Sequence, residues 1–385
     1  MFRSTLLSFL IICFVALDQA ISQKVISKDD YTFSFTDIIP CTEIEDQENT
    51  GTCWSFSTGS FLESEALRLG KKAIDLSEMF WVRKAYLEKA AKYLRYHGKS
   101  NFGPGGLGHD ILRLYERYGA MPEEVYNGLL PGKQKHNHAK LQKELVSYLD
   151  SLIKSGSIEP NWNADLAEIL DAHLGPCPDS FSYMGKDYDP KSFAFDYIGI
   201  NSEDYLTITS FLHHPLYAMF VLEVPDNYSD GVYLNVTLDD LQDIINRAFS
   251  LGHTIVWDCD VSETGFSARQ GLAIVPDEDL QAGLDPFYGP HHEAKIDASM
   301  RQLEFDSHSL TDDHLMHIVG RAQDQSGASY YYVKNSWGPG PGFEGYLFAS
   351  EAYLLLNTIG ITVHKDAIGK QVWQKAEEVH GQTDD

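Results

Sequence analysis

The stretch Gln47-Glu48-Asn49-Thr50-Gly51-Thr52-Cys53-Trp54-Ser55-Phe56 decides how this chain is read. Cysteine acts as a nucleophile only as its thiolate, and a helix N-terminus favours that anion because unpaired N–H groups and the helix dipole face it. After Cys53, the residues Phe56, Phe61, Leu62, Ala66 and Leu69 recur at helical spacing and Gly70 is a natural stop, which predicts a helix from Cys53 to Gly70. The thiol would then stand at the first turn. Gly51 lets the backbone turn sharply ahead of it, the Cys53 amide can point toward a developing oxyanion, and the Gln47 side chain supplies a second donor. A cysteine taken alone would be read as buried packing; the residues around this one argue for chemistry.

Outward from that segment, the chain has 385 residues, 43% hydrophobic and 12% aromatic, enough for one large domain or two lobes sharing a cleft. Its formal charge of -26 argues against nucleic acid or an anionic membrane as partner. Arg3, the apolar run Leu6 to Leu17 and the small residues Ala20-Ile21-Ser22 predict a signal peptide over residues 1–22, and with it a secreted or periplasmic protein. Beyond that run no stretch approaches the roughly 18 apolar residues of a spanning helix, so no membrane association is expected after cleavage. Of the five cysteines, Cys13 lies in the leader, leaving Cys41, Cys53, Cys177 and Cys259. With one of them a nucleophile, at most one disulfide can form. No CxxC or HExxH occurs, so neither a metal nor a cofactor is expected.

Helical patterning continues over Leu76–Tyr96 with Ser77 as N-cap, over Asp110–Tyr118 ending at Gly119, and over about Gln134 to Leu174. Asn101 to Gly108 is a glycine-rich loop. After about Ser180 alternating apolar residues predict strands at Tyr217–Val224, His253–Asp258, His314–Arg321 and Tyr330–Asn335, with one helix at Leu238–Ser250 and a hairpin connection at Ala322–Ser329. A helical first half and a strand-rich second half make the fold class α+β. The domain reading is a helical lobe at about 45–133, a helical insertion at about 134–174, a strand-rich lobe at about 180–350 and a polar tail at 365–385.

Asp313-His314-Leu315-Met316-His317-Ile318-Val319-Gly320 opens one strand, and its partner ends in Lys334-Asn335-Ser336-Trp337-Gly338. A strand alternates faces, so only one of His314 and His317 can meet Cys53.

Taken together, these segments resemble the papain family of cysteine peptidases. Gln47 to Cys53-Trp54 keeps the spacing of its Q-x5-C-W signature; Leu76-Ser77-Glu78, Gly105-Gly106 and the turn from Gly119 to Glu123 resemble further family elements. The Asp-His and Asn-Ser-Trp-Gly elements follow in the family's order. Its spacing from catalytic histidine to strand glycine selects His314, six positions before Gly320. The resemblance implies a two-lobe fold with a helical left lobe and an antiparallel, barrel-like right lobe. It assigns catalysis to Cys53, His314, Asn335 and Gln47: His314 takes the thiol proton, and Asn335 orients the imidazole. Gly105, Gly106 and Trp337 would bind extended peptide substrate, and Trp337 would also shield the His314–Asn335 bond from water. His317 is left to the core.

Cys53 and His314 lie 261 positions apart, against roughly 130–150 in papain. Extra material must be inserted. Leu174-Gly175-Pro176-Cys177-Pro178, the segment Ser210 to Tyr217 and Val256-Trp257-Asp258-Cys259-Asp260-Val261 resemble the bleomycin hydrolase and aminopeptidase C branch. His213-His214 is followed by Pro215 with no third metal ligand suggested. In that branch a C-terminal arm reads the substrate's free amino terminus and the enzyme is a hexamer. The tail here is polar and acidic, so both aminopeptidase and endopeptidase action stay open, as does a homo-oligomer. Only about 30 residues precede Cys53 in the cleaved chain, which implies activity without proteolytic maturation. The same triad could transfer acyl groups to amines, and a non-catalytic peptide-binding protein is the alternative from another class. Asn227-Tyr228-Ser229 and Asn235-Val236-Thr237 match glycosylation sequons.

Overall fold

The computed structural model describes residues 24–28, 30–277 and 285–381; the expected leader at 1–22 lies outside them. Two strands come first, β1 (Val25–Lys28) and β2 (Tyr31–Ile38), followed by helices α1 (Cys53–Arg68), α2 (Glu78–Arg95), α3 (Gly108–Tyr118), α4 (Ala139–Ser155) and α5 (Trp162–Leu174). A hairpin of β3 (Phe181–Tyr183) and β4 (Lys186–Tyr188) and the short α6 (Pro190–Ser192) lead into the strand-rich half. This contains β5 (Tyr205–Thr209), β6 (Met219–Val221), β7 (Val232–Asn235), α7 (Leu238–Ser250), β8 (Ile255–Cys259), β9 (Phe266–Ser267) and β10 (Leu272–Ala273). It continues with α8 (Ala298–Asp306), β11 (His314–Gln323), β12 (Ser329–Lys334), β13 (Tyr346–Ser350), α9 (Glu351–Asn357), β14 (Thr358–His364) and α10 (Lys370–Gly381).

Helix α1 is buried nearly all round from Cys53 to Ala66, the pattern of a helix enclosed between layers rather than lying on a surface. One side packs on α2 and α3, the other on β11. Small side chains at Ser57, Gly59, Ser60 and Ser64 let its neighbours approach; a Cβ on Gly59 would already touch the Trp81 ring at 3.5 Å. Ser77 caps α2 by accepting from the Phe80 amide at 3.1 Å. The stretch read as continuous helix to Leu174 breaks at Gly156, whose left-handed φ of 70° ends α4.

The main sheet runs β6-β7-β5-β14-β8-β11-β12-β13-β10-β9 and is antiparallel except at the β5–β7 and β10–β13 pairs. Strand β11 carries three partners, because β2 joins its far half beside β12. Gly320 sits at that crowding: a Cβ there would meet the Asp37 carbonyl oxygen at 2.7 Å. The N-terminal strands belong to the fold. Phe33 stacks on Phe348 at 3.7 Å, and Tyr31, Phe35, Tyr330 and Tyr332 complete an aromatic cluster. The segment read as a polar tail is helical at α10, which buries Val372 and Ala376 in the core on the α7 side. All four cysteines among the described residues are free thiols.

Between α1 and the sheet lies a buried polar seam. Lys334 Nζ donates to Ser60 Oγ at 2.7 Å and to Thr42 Oγ1 at 3.0 Å, and Thr42 in turn donates to Glu63. Burial pushes the Glu63 carboxyl up to about 7, with the Lys334 charge pulling it back. A carboxyl raised by folding contributes its full stability below the unfolded pKa of about 4.3 and loses it as pH rises through the folded value, on the order of 3 kcal/mol here. Thermal unfolding followed between pH 4.5 and 8.5 should therefore show the melting temperature falling by several degrees toward the alkaline end. The slope should flatten in Glu63→Gln; equal slopes in both proteins would contradict this account.

Candidate functional site

Thr52 is the N-cap of α1, so Cys53 is its first helical residue and its N–H has no acceptor within the helix. The Leu315 amide lies on the donor side of the Cys53 sulfur and favours its ionised form, which puts the thiol beside the peptide that joins His314 to Leu315. His314 begins β11 opposite Cys259, and its Nε2 lies 2.8 Å from Asn335 Oδ1. That contact assigns the Nε2 hydrogen to the bond with Asn335 and leaves Nδ1 free to exchange a proton. Asn335 Oδ1 also accepts from the Ser336 amide at 2.7 Å, so the carboxamide cannot swing. Trp337 stacks on the imidazole at 4.6 Å and 25° and covers it from one side.

Gln47 is tied to the same strand end. Its backbone N–H donates to the Ser336 carbonyl at 2.8 Å, and its Oε1 accepts from Ser336 Oγ at 2.7 Å. Nε2 gives one hydrogen to the Thr50 carbonyl at 2.8 Å and keeps a second. The structure thus gathers Cys53, His314, Asn335, Gln47 and Trp337 at the junction of α1 with β11 and β12. His317 is directed elsewhere, its Nδ1 meeting Ser60 Oγ at 2.9 Å inside the polar seam.

The glycines have reasons of their own. Gly51 is required by proximity rather than by a positive φ, since a Cβ would come within 2.6 Å of Pro104. A Cβ on Gly106 would press into the Trp54 ring at 2.9 Å, and one on Gly105 would overlap the Asp226 carboxylate. Trp54 Nε1 donates to the Pro104 carbonyl at 3.0 Å, so the glycine loop is fastened to the residue that follows the thiol. Beneath it Lys89 is buried, with Nζ on the carbonyls of Gly103 and Gly105, and burial lowers its ammonium to about 8.

Burial pushes the Cys53 thiol up to about 12, with Leu315 opposing and Asp312, Asp258 and Asp226 adding, and pushes the His314 imidazole down to about 4 despite Asn335. Neither group ionises readily by itself. Proton transfer from sulfur to imidazole makes both charges at once, and each then stabilises the other at the helix N-terminus. Sequence reasoning assigned no role to those three aspartates. They come from separate segments, and the only local signal was Asp258 inside an apolar strand.

The expectation for His213-His214 changes. His213 and His214 do have a third group: Glu223 lies 3.3 and 2.7 Å from their Nε2 atoms, drawn in by the turn between β5 and β6. This set, and His253 with His364 and Asp366, are clusters among the described residues that could hold a metal ion, and neither includes a residue of the Cys53 site. Both sequon asparagines are buried and spend their side-chain amides internally. Asn227 donates to Leu222 and Gly231, and Asn235 to Phe211, His214 and Pro215. Neither side chain can carry a glycan in this fold. A hollow of about 630 Å³ beside α2 and α3 contains none of the site residues.

Comparison with known proteins bears on family and fold. The profile of the Peptidase C1-like family matches residues 103–383, which include His314 and Asn335. Aminopeptidase C of Lactococcus lactis subsp. lactis is 23% identical over 373 residues, spanning 85% of this chain and 82% of the relative. Aminopeptidase C of Listeria innocua is 24% identical over 398 residues, spanning 92% and 87%. The crystal structure of PepW from Lactobacillus rhamnosis superposes with a TM-score of 0.72 at 17% identity, covering 90% of this chain and 85% of that one, which shows a shared fold.

If Asn335 acts by holding His314, Asn335→Ala should lower kcat by about 10- to 100-fold with little change in KM. Steady-state kinetics on a small peptide substrate check this; a change confined to KM would contradict it.

Proposed function

This chain belongs to the Peptidase C1-like family and is a cysteine peptidase, and from that premise we propose that it removes amino-terminal residues from peptides, using Cys53 as nucleophile and His314 as base and acid. The contact of the Cys53 thiol with the His314–Leu315 peptide, together with the His314–Asn335 hydrogen bond at 2.8 Å, carries this reading. The relatives named aminopeptidase C, matched over most of their length, support the exopeptidase part.

In the first step the Cys53 proton passes to His314 Nδ1 and the sulfur attacks the scissile carbonyl carbon. The oxyanion forms toward the Cys53 N–H and the remaining Nε2 hydrogen of Gln47. As the tetrahedral adduct collapses, the carbon–nitrogen bond breaks and His314 protonates the departing amine, leaving a thioester. Water, deprotonated by His314, then attacks the thioester carbon, and the proton returns to the sulfur as the acid leaves. Asn335 keeps the imidazole in plane through both halves, and the Trp337 ring keeps water from its Nε2 bond.

Hydrolysis of fluorogenic aminoacyl amides tests the assignment. Cys53→Ala should lower kcat/KM by about 10⁴-fold or more while the melting temperature stays near that of the parent. Retention of activity in a folded Cys53→Ala protein would overturn it.

We also propose export by a leader at residues 1–22. Arg3 ahead of the apolar run to Leu17, and the small residues ending at Ser22, support it. Amino-terminal sequencing of the protein recovered from its host should begin at or next to Gln23; a protein beginning at the initiator methionine would refute this.

A further inference from the structure

Between β6 and β7 the chain leaves the sheet and crosses to the helical lobe as residues 222–231. Asn101 Nδ2 donates to the Pro225 carbonyl at 3.0 Å and to Asp226 Oδ1 at 2.9 Å. Lys92 Nζ holds the Tyr228 carbonyl at 2.8 Å, an Arg113 nitrogen donates to Tyr228 Oη at 2.9 Å, and His109 Nε2 meets Ser229 Oγ at 3.1 Å. Asn227 braces the turn from within through Leu222 and Gly231. This strap is therefore fixed at both ends before any substrate arrives. It places the Asp226 carboxylate directly over Gly105, in the loop that Trp54 fastens beside the thiol.

Asp226 does not stand alone. Asp258 pairs with Leu315 across β8 and β11, which puts its carboxyl on the thiol side of the sheet, and burial together with the neighbouring Asp312 carboxyl holds it well above the usual carboxylate range. Both oxygens of the buried Asp258 and Oδ2 of the half-buried Asp312 have no hydrogen-bond donor. Lys89 is the cation that bears on Asp226, and two of its three hydrogens go to the carbonyls of Gly103 and Gly105. Three carboxyl groups thus lie close enough to the thiol to oppose its ionisation, and those of Asp258 and Asp312 keep acceptor capacity unused. A buried acceptor left without a donor costs roughly 1–3 kcal/mol, and more for a charged group, so the corner is built for a cationic donor.

We propose that this acidic corner, with Asp226 at its open side, receives the free α-ammonium of the peptide's first residue, and that the strap ends the cleft there, so that one residue is released per cut. The proposal rests on the cysteine aminopeptidase reading above. An ammonium brings three donors and one positive charge to a place rich in unused acceptors. An acetylated terminus brings a carbonyl oxygen against carboxylates, and a longer chain meets the strap. A second consequence concerns the thiol: the same three carboxyl groups oppose its ionisation, and an ammonium among them counters that opposition. Helix α10 does not compete for this place, because Lys375 Nζ on Tyr217 Oη at 2.8 Å and the burial of Val372 and Ala376 hold it on the α7 side.

The test compares a fluorogenic aminoacyl amide with its N-acetylated counterpart in the parent, Asp226→Asn and Asp226→Ser, with thermal unfolding of each as control. The parent should strongly prefer the free amine. In both variants the ratio of kcat/KM values, free over acetylated, should fall about 10- to 100-fold, mainly through KM for the free amine, as expected for a charge-assisted hydrogen bond worth about 1.5–3 kcal/mol. A parent that prefers the free amine, with variants that keep the full ratio, overturns the assignment of Asp226 and leaves the aminopeptidase reading standing. A parent that cuts both substrates equally overturns both. A preference abolished in the parent by a chelator overturns the proposal in favour of a divalent cation at the corner. Should a variant fail to fold, protection of the parent's Cys53 from alkylation by a free but not an acetylated aminoacyl amide supports the proposal, and equal protection overturns it.

Discussion

The fold turns on how α1 is seated against β11 and β12. Ser60 Oγ accepts from Lys334 Nζ at 2.7 Å and meets His317 Nδ1 at 2.9 Å, so one hydroxyl joins the helix to two neighbouring strands inside the core. A buried contact of this kind is specific because slipping the helix by one residue would strand a lysine and a histidine without partners. Two turns earlier on the same helix, the same seating brings Cys53 to the Leu315 amide. The Asn335 carboxamide follows Lys334 directly in the chain. The chemistry therefore inherits its precision from a structural contact that takes no part in it.

A second tie works from the other side. Gln47 and Ser336 exchange backbone and side-chain hydrogen bonds, joining the segment ahead of α1 to the strand end that carries Asn335 and Trp337. Oxyanion donor, imidazole holder and ring cover thus move as one body. The third element is the strap from the sheet lobe, which closes the cleft over the glycine loop. The catalytic part uses residues brought together along one helix and two strands, whereas the acidic corner needs Asp226, Asp258 and Asp312 from three separate segments.

That difference explains what could be read from the chain itself. Cys53 with Gln47, His314 with Gly320 and Asn335 with Trp337 lie in short runs whose spacing expresses their geometry, so the proposed catalytic residues were legible. Helix α7 was legible to the residue because a polar face alternates with an apolar one and Thr237 caps it. Strand β14 was not, because both of its faces are buried and no alternation marks it. Strand β2 owes its place to aromatic packing with Phe348 and Tyr330, and β1 follows by pairing with β2. The sequons show the reverse case: the triplets are local signals, and the burial that makes Asn227 and Asn235 unreachable is a property of the fold. Glu223 joins His213 and His214 only through a turn, which their own sequence neighbourhood does not announce.

The central claim is that Cys53 is reactive because of where it stands, in spite of being buried. Alkylation of the native protein with iodoacetamide, read by peptide mapping at short times, separates reactivity from exposure. Cys53, only 8% exposed, should be modified ahead of the more accessible Cys41 and Cys177, and this lead should be lost in His314→Ala. Modification of Cys41 and Cys177 first, with Cys53 left intact in the folded parent, would contradict it.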